Sequence, residues 1–176
     1  MKKQIQKYWF QWNIHKKHIA KTILKTLKSG ALTDLTSHLK ELNCKNANSA
    51  TKNGVCLTDT VGQWVKKKIV AGPYSKKPLK NFRCNPLMAV VQKSKVRPIL
   101  NLSSPKTKSF NDAINPFSIK KIGMSSAKLF GQTIFEAGKN AIITKSDICD
   151  AYKLIPGHPS QWNMFGFKWL GKYFLT

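Results

Sequence analysis

Two carboxylates lie three residues apart, shortly after a β-branched run. The run is Ala141-Ile142-Ile143-Thr144, and the carboxylates are Asp147 and Asp150. A strand that delivers a carboxylate at its end can place it where functional groups converge. Carboxylate oxygens are ligands that Mg²⁺ prefers, and substrate phosphates can complete its shell. Asp147 is therefore a candidate metal ligand, and the alternative is an Asp that caps the turn after a strand.

A second candidate group is basic. Lys93-Ser94-Lys95-Val96-Arg97 connects two apolar runs, which predict the strands of a β-hairpin over residues 86–102. Such a hairpin can project Lys93 as a point charge and Arg97 as a bidentate fork onto a triphosphate. An ordinary exposed basic turn is the alternative, because lysine is abundant throughout this chain.

The composition indicates a polyanionic partner. The 176 residues carry 31 Lys and Arg against seven Asp and Glu, a formal net charge of +24. A field of this sign attracts nucleic acid by default, with an anionic membrane surface as the competing explanation. Arginine occurs only at Arg83 and Arg97, so each of these two positions is informative.

The four cysteines and four histidines lack metal-finger spacing. No C-x-x-C pair is present, which favours free thiols of an intracellular protein over a zinc site. Nucleus and cytoplasm are not distinguishable by this argument. No apolar run approaches ~18 residues, and the N-terminal segment lacks the pattern of a secretory signal. With 41% hydrophobic residues, the chain can build a core.

Residues 1–43 predict a basic helical segment. Ser29-Gly30 divides it, and Thr33 or Asp34 is a candidate cap for a second helix. The lysines between the apolar positions face either solvent or a nucleic acid. The apolar positions at helical spacing include Ile19, Ile23, Leu27, Leu32, Leu35, Leu39 and Leu42.

The remainder predicts a linker followed by a mixed domain. Residues 44–60 are small and polar, which is typical of a loop or linker, and residues 61–69 have helical spacing. Ala71-Gly72-Pro73-Tyr74 predicts a turn. Residues 125–137 predict a helix that Gly138 ends. Helices combined with antiparallel hairpins predict an α+β fold.

Alternation in the last segment predicts a second hairpin. Phe165, Phe167 and Trp169 lie on one face, and Leu170-Gly171 turns the chain toward residues 173–175. These aromatic side chains and Trp162 could stack on bases. At strand spacing, however, packing in the core is favoured.

Taken in order, these segments resemble a known family. The stretch GPYSKKPLKNFRCNPLMAVVQKSKVRPILNLSSPKTKSFNDAINP, followed by KSDICDAYKLIPGHPSQWNMFGFKWLGKYF, is similar to the fingers and early palm of retroelement reverse transcriptases, above all the DIRS-type group. The similarity runs from about Lys68 to Thr176. It implies a right-hand polymerase fold, with fingers and part of the palm over residues 61–176 and basic helices before them. Several motifs in one order make a specific signal.

The resemblance implies roles in metal and triphosphate binding. Asp147 would be the first metal-binding aspartate of the palm, and the backbone carbonyl of Ile148 would help to hold the second of two Mg²⁺ ions. Lys93 and Arg97 would grip the incoming deoxynucleoside triphosphate. The partners would be an RNA or DNA template and its primer, and the oligomeric state is open.

Three further residues would contact the nucleotide. The backbone amides of Asp150 and Ala151 would contact the β- and γ-phosphates. Tyr152 would stand beneath the sugar as a steric gate that leaves no room for a 2′-hydroxyl. The resemblance therefore implies RNA-directed DNA synthesis. His158 would belong to a structural turn.

The sequence departs from the family pattern in three places. Gln92 stands where the group commonly has Pro, and Asn101 replaces a common Asp. The (Y/F)-x-D-D turn, which supplies the remaining metal-binding aspartates, does not occur in these residues. We therefore expect a chain that is cut off in mid-fold at Thr176 and does not polymerise alone. The alternatives are a non-catalytic nucleic-acid-binding protein derived from a retroelement and, less favoured, a ribosomal-type basic protein.

The steric-gate assignment predicts a change in sugar selectivity. In a protein that continues into the aromatic-x-Asp-Asp motif, Tyr152→Ala should raise the ratio of kcat/KM for ribonucleotides over deoxynucleotides by on the order of tenfold or more, because the steric exclusion is removed. Tyr152→Phe retains the ring and is the control. Equal sugar selectivity in all three proteins would contradict the assignment.

Overall fold

The structure is a computed structural model that describes residues 14–93, 95–118, 126–140, 142, 144 and 155–176, with side chains from Lys21 onward. Its elements confirm the predicted α+β class. None of the described helices is long and apolar enough to cross a membrane. The helices and strands are α1 Ile14–Ser29, β1 Leu42–Asn43, α2 Asn48–Lys52, α3 Gly54–Lys66, β2 Ala71–Tyr74, β3 Arg83–Cys84, β4 Leu87–Gln92, β5 Lys95–Leu100, α4 Ala127–Ala137, β6 Gly166–Trp169 and β7 Lys172–Leu175.

The described strands form two sheets. Five strands lie in the order β1-β3-β6-β7-β2, in which β1, β3 and β6 are parallel neighbours and the β6–β7 and β7–β2 pairs are antiparallel. Strands β4 and β5 form a separate antiparallel hairpin. Both predicted hairpins are confirmed, since β6 and β7 also pair with each other around Leu170-Gly171.

The larger core lies between α2, α3, the β4–β5 hairpin and the β6–β7 pair. Phe167 and Phe174 stack with ring centroids 5.1 Å apart. Burying a side chain of this size stabilises the fold by about 1.5–3 kcal/mol. The predicted core packing of Phe167 and Trp169 is therefore confirmed. The buried members are Ala50, Leu57, Val61, Val70, Leu87, Ala89, Phe167, Trp169 and Phe174.

A smaller core joins three segments that are distant in sequence. Leu39 comes from the segment before β1, Phe110 and Ala113 from the loop after β5, and Met164 from the 3₁₀ helix Pro159–Met164. Phe165 packs against this cluster, and its ring centroid lies 4.8 Å from that of Phe110. The packing shows that residues 35–39 belong to the folded body.

The prediction of a loop or linker over residues 44–60 is wrong, because α2 and most of α3 lie there. Polar side chains of this stretch accept hydrogen bonds from amides of β4 that no neighbouring strand pairs. Asn46 Oδ1 accepts from the Leu87 amide at 3.0 Å, and Ser49 Oγ accepts from the Ala89 amide at 3.1 Å. Polarity in this stretch therefore reflects hydrogen bonding to β4. The division of the chain into domains at residues 43 and 60 stays a prediction.

The prediction of a second helix over residues 32–42 is also wrong. Leu35 forms an antiparallel bridge with Ile114, so its backbone is paired across the fold. Asp34 caps no helix, and its carboxylate accepts from Asn115 Nδ2 at 2.8 Å. The leucines recur at helical spacing, but this segment is extended because its backbone amides and carbonyls hydrogen-bond to segments that are distant in the sequence.

Helix α1 confirms the prediction for residues 14–29, while residues 1–13 lie outside the described part. Gly30 ends it with a φ of +87°. A Cβ at Gly30 would lie 2.5 Å from the carbonyl oxygen of Gly157. The Ala31 amide donates to the Pro156 carbonyl at 2.7 Å. The end of α1 is thus held tightly against the 156–157 turn.

Three other predicted elements differ in outcome. Residues 71–74 form edge strand β2 instead of the predicted turn, and Pro73 is tolerated there because an edge strand leaves amide positions unpaired. Helix α4 is confirmed, with Ser126 Oγ accepting from the Leu129 amide at 3.1 Å and Gly138 following at a φ of +81°. Ile142 and Thr144 lie outside any strand, contrary to the predicted run over 141–144, whose other two residues lie outside the described part.

The close approach at Gly166 yields a stability prediction. A Cβ at Gly166 would overlap the Phe82 ring and lie 2.7 Å from the Arg83 carbonyl oxygen, so Gly166→Ala should destabilise the fold by at least about 1–3 kcal/mol. Gly131→Ala is the control, because nothing lies within 4 Å of its Cβ and alanine favours helices by about 1 kcal/mol. Urea unfolding followed by circular dichroism measures both. Equal effects of the two substitutions would contradict the packing argument.

Candidate nucleic-acid interface

The β4–β5 hairpin has a core face and an outer face. Leu87 and Ala89 are buried, and Val96 and Leu100 pack against the larger core. Side chains alternate along a strand, so Arg97 lies on the opposite face from Val96. The Arg97 side chain is exposed, and no hydrogen bond or ion pair joins it to any residue in the described ranges. Its guanidinium is therefore available to an external acceptor.

Lys93 lies in the turn between the two strands. It is exposed and has a φ of +53°, and Ser94 beside it lies outside the described part. Lys95 and Gln92 form the last cross-strand pair. The hairpin tip and its outer face thus carry Lys93, Lys95 and Arg97. Among the described residues, no carboxylate forms an ion pair with any of the three. Binding of a nucleotide by Lys93 and Arg97 stays a prediction.

The other predicted site residues lie outside the described residues. They are Asp147, Ile148, Asp150, Ala151 and Tyr152. Within the described ranges, no group of three or more His, Cys, Asp or Glu residues is placed to hold a metal ion. The metal-binding, amide-contact and steric-gate assignments therefore stay predictions that rest on the sequence.

The chain that follows the predicted catalytic segment is tied down firmly. The His158 side chain caps the 3₁₀ helix Pro159–Met164: its Nδ1 accepts from the Ser160 amide at 3.3 Å. The same nitrogen lies 2.8 Å from Ser160 Oγ. Trp162 Nε1 donates to the Gly157 carbonyl at 2.8 Å. The imidazole of His158 caps the helix in this turn, which is consistent with the structural turn that the resemblance implied.

Arg83 is a buried cation bound by carbonyl oxygens. Its side chain is 2% exposed, and Nη1 and Nη2 donate to the carbonyls of Lys40 at 2.5 Å and Lys108 at 2.6 Å. Burial lowers the pKa of the guanidinium, since desolvation disfavours its charged form. The Arg83 Nε atom is buried without a partner in the described structure. Arg83 thus joins two loops from inside, while Arg97 projects outward.

Asn85 holds the start of β6 in place. It is fully buried, and Nδ2 donates to the Met164 carbonyl at 2.7 Å and to the Gly166 carbonyl at 3.2 Å. Sequence reasoning missed this residue and the hydrogen-bonding role of Asn46. The available signal was a polar amide within an otherwise apolar stretch, because a buried amide must find partners.

The loop after β5 is closed by a carboxylate. Asp112 Oδ2 accepts from the Ser109 hydroxyl at 2.7 Å and from the Ser109 amide at 3.0 Å. These bonds, the hydroxyl first, hold the pKa of Asp112 below its ordinary value. A lowered pKa favours the folded state above the unfolded pKa, and the contribution is lost as the pH falls through the folded pKa.

Positive charge is left largely uncompensated at the described surface. One ion pair is present among the described residues, between Lys77 and Glu41. The chain has 31 basic side chains, so most of the described lysines face solvent without an ionic partner. This arrangement maintains a positive surface that attracts phosphate groups.

Comparison with solved structures identifies similar folds. No protein-family model and no curated protein matches the chain. A foamy viral protease-reverse transcriptase in complex with double-stranded DNA is similar with a TM-score of 0.50 at 11% identity, covering 97% of this chain and 31% of that chain. The fold is reverse-transcriptase-like.

Two further foamy viral structures are similar. A second protease-reverse transcriptase complex with double-stranded DNA has a TM-score of 0.47 at 12% identity, covering 99% of this chain and 37% of that one. A prototype foamy virus protease-reverse transcriptase mutant has a TM-score of 0.49 at 14% identity, covering 97% and 24%. The chain therefore spans less than two fifths of the length of each of these relatives.

The same substitution should affect the stability of the fold at Arg83 but hardly at Arg97. Arg83→Lys should destabilise the fold by about 1–3 kcal/mol, because one ammonium group cannot reproduce the two-pronged bond to the Lys40 and Lys108 carbonyls. Arg97→Lys is the matched control and should leave stability within about 0.5 kcal/mol. Chemical denaturation measures both changes. A stable Arg83→Lys protein would show that the buried fork is dispensable.

Proposed function

We propose that this chain forms the fingers and the first part of the palm of an RNA-directed DNA polymerase. The observation that carries the proposal is the ordered series of motifs from Lys68 to Thr176 in a chain whose fold is reverse-transcriptase-like. The exposed outer face of the β4–β5 hairpin supports it. The reaction class is nucleotidyl transfer from a deoxynucleoside triphosphate to a primer 3′-end.

In this proposal the hairpin contacts the incoming nucleotide. Arg97 would donate two parallel hydrogen bonds to phosphate oxygens, and Lys93 would add a point charge. Both side chains are exposed and bonded to no other residue in the described ranges, so binding would break no bond to a described residue. Positioning and counter-charge are the main protein contributions in phosphoryl transfer.

Asp147 and the Ile148 carbonyl would hold Mg²⁺. Both are hard oxygen donors, the type that this ion requires. When bound, paired ions stabilise the charge on the attacking and leaving oxygens. Tyr152 would exclude a 2′-hydroxyl, and the Asp150 and Ala151 amides would orient the phosphates.

The donor set for two ions is incomplete within these residues. The 176 residues contain no Asp-Asp pair, and the carboxylate of Asp147 alone cannot supply the protein ligands that two octahedral Mg²⁺ ions need. We therefore propose that the 176 residues bind a template with its primer but do not extend the primer. The net charge of +24 supports a second candidate equally well, a non-catalytic nucleic-acid-binding protein derived from a retroelement.

The two candidates separate in a test of Asp147. In a protein that adds the aromatic-x-Asp-Asp motif, Asp147→Asn should lower primer extension by at least about 100- to 1,000-fold, because stabilisation of the transition-state charge is lost. Asp59→Asn is the control, since Asp59 is exposed on α3. Primer-extension gels and filter binding measure activity and template binding separately.

Template binding should stay nearly unchanged in both variants. Undiminished extension by the Asp147→Asn protein would refute the metal-ligand assignment. Absence of extension in the parent protein, with template binding intact, would favour the non-catalytic candidate.

A further inference from the structure

Helix α1 carries a row of lysines on one face. Lys21, Lys25 and Lys28 are spaced four and three residues apart, which places them within an arc of about 60° on the helix. All three side chains are exposed. Leu24 and Leu27 are half-buried, and on a helical wheel they lie about 40° and about 100° from Lys28, so the packed side of the helix adjoins the lysine row.

These lysines lack ionic partners within the described structure. The one ion pair there joins Lys77 to Glu41, on other segments. Each ammonium group of the row therefore adds to a positive surface in a chain of net charge +24. A row of unpaired like charges disfavours folding slightly, and an anionic partner would offset this repulsion.

The helix that carries the row is fixed at its C-terminal end. Gly30 at the end of α1 is buried, and a Cβ there would lie 2.5 Å from the Gly157 carbonyl oxygen. The Ala31 amide donates to the Pro156 carbonyl at 2.7 Å, and the Ala31 carbonyl accepts from the His158 amide at 2.9 Å. Helix α1 is thus fastened at one end to the turn that follows the predicted nucleotide-binding segment.

The dimensions of the row match a nucleic-acid backbone. Lys21 and Lys28 are separated by about 10 Å along the helix axis. One strand of a duplex places a phosphate every ~3.4 Å of axis, so about three phosphates fall within that length. Lysine ammonium groups on flexible stems can each approach one phosphate.

We propose that the lysine row of α1, formed by Lys21, Lys25 and Lys28, is an accessory surface that binds the phosphate backbone of a nucleic-acid duplex. It lies outside the motifs that suggest the polymerase. It rests on the proposed function only in taking a nucleic acid as the partner. An anionic membrane is the competing source of phosphate groups, and the experiment below includes it.

The test compares two charge-matched triple variants of the 176-residue chain. Lys21→Gln, Lys25→Gln and Lys28→Gln together remove the row, and glutamine has nearly the helix propensity of lysine. The control replaces Lys52, Lys66 and Lys76, three exposed lysines on separate segments, by Gln. Circular dichroism checks that both proteins fold.

Binding to a duplex of about 20 base pairs is measured by fluorescence anisotropy between about 50 and 200 mM salt. The slope of log K against log salt should become shallower by about 2 to 3 in the row variant, since each lost phosphate contact removes nearly one unit. The control slope should change by less than about one unit.

Equal slopes for the row variant and the control, with strong duplex binding by the parent chain, would overturn the inference about the lysine row and leave the proposed function standing. Loss of affinity for phosphatidylserine vesicles without loss of affinity for the duplex would assign the row to a membrane and also overturn it. A parent chain that binds no duplex would overturn both this inference and the nucleic-acid partner of the proposed function. The Asp147 test then reports on the catalytic assignment separately.

Discussion

The burial of residues 82–87 is the constraint on which the rest of the structure depends. All six residues are buried, although Arg83 and Asn85 are strongly polar. A polar group removed from water costs about 1–3 kcal/mol unless it is hydrogen-bonded. Arg83 therefore draws in two loops through their carbonyls, and Asn85 holds the end of the 3₁₀ helix and the start of β6. Segments 25 to 81 residues away in the chain converge on this short stretch.

This constraint separates the cations of the chain into two roles. Arg83 is enclosed by backbone carbonyls, where a carboxylate partner is not needed because the carbonyl dipoles stabilise the guanidinium. Arg97 and three lysines of α1, Lys21, Lys25 and Lys28, face outward. With seven acids in the whole chain, the described surface stays positive, and an external polyanion can supply the counter-charge. Arg83 thus supports the two loops from the interior, and the exposed cations can bind an external polyanion.

Polar side chains also substitute for strand neighbours around β4. Asn46 and Ser49 accept the amides of Leu87 and Ala89, and Asn46 Nδ2 donates to the Lys168 carbonyl at 2.9 Å. The β4–β5 hairpin is thereby joined to α2 and to β6 without belonging to the five-stranded sheet. A hairpin alone is only marginally stable in water, so this attachment and the packing of Leu87 hold its outer face in position. The placement of Lys93 and Arg97 thus depends on residues that looked like a linker.

The sequence by itself determined the elements whose signals are local. The β4–β5 and β6–β7 hairpins follow from apolar runs around short turns, and α4 follows from its spacing, its Ser126 cap and Gly138. Tertiary structure decided residues 31–49, where several hydrogen-bond partners lie far away in the chain, as with Thr33 and Gln161, 128 residues apart. The leucine spacing over residues 32–42 is typical of a helix, and the polar composition of residues 44–60 is typical of a linker, so both local patterns gave a wrong prediction. The candidate site divides in the same way: the structure places Lys93 and Arg97 on one hairpin, whereas the roles of residues 147–152 rest on motif order. Local pattern records what a segment prefers by itself, and only the folded chain shows which distant group satisfies each buried amide and carbonyl.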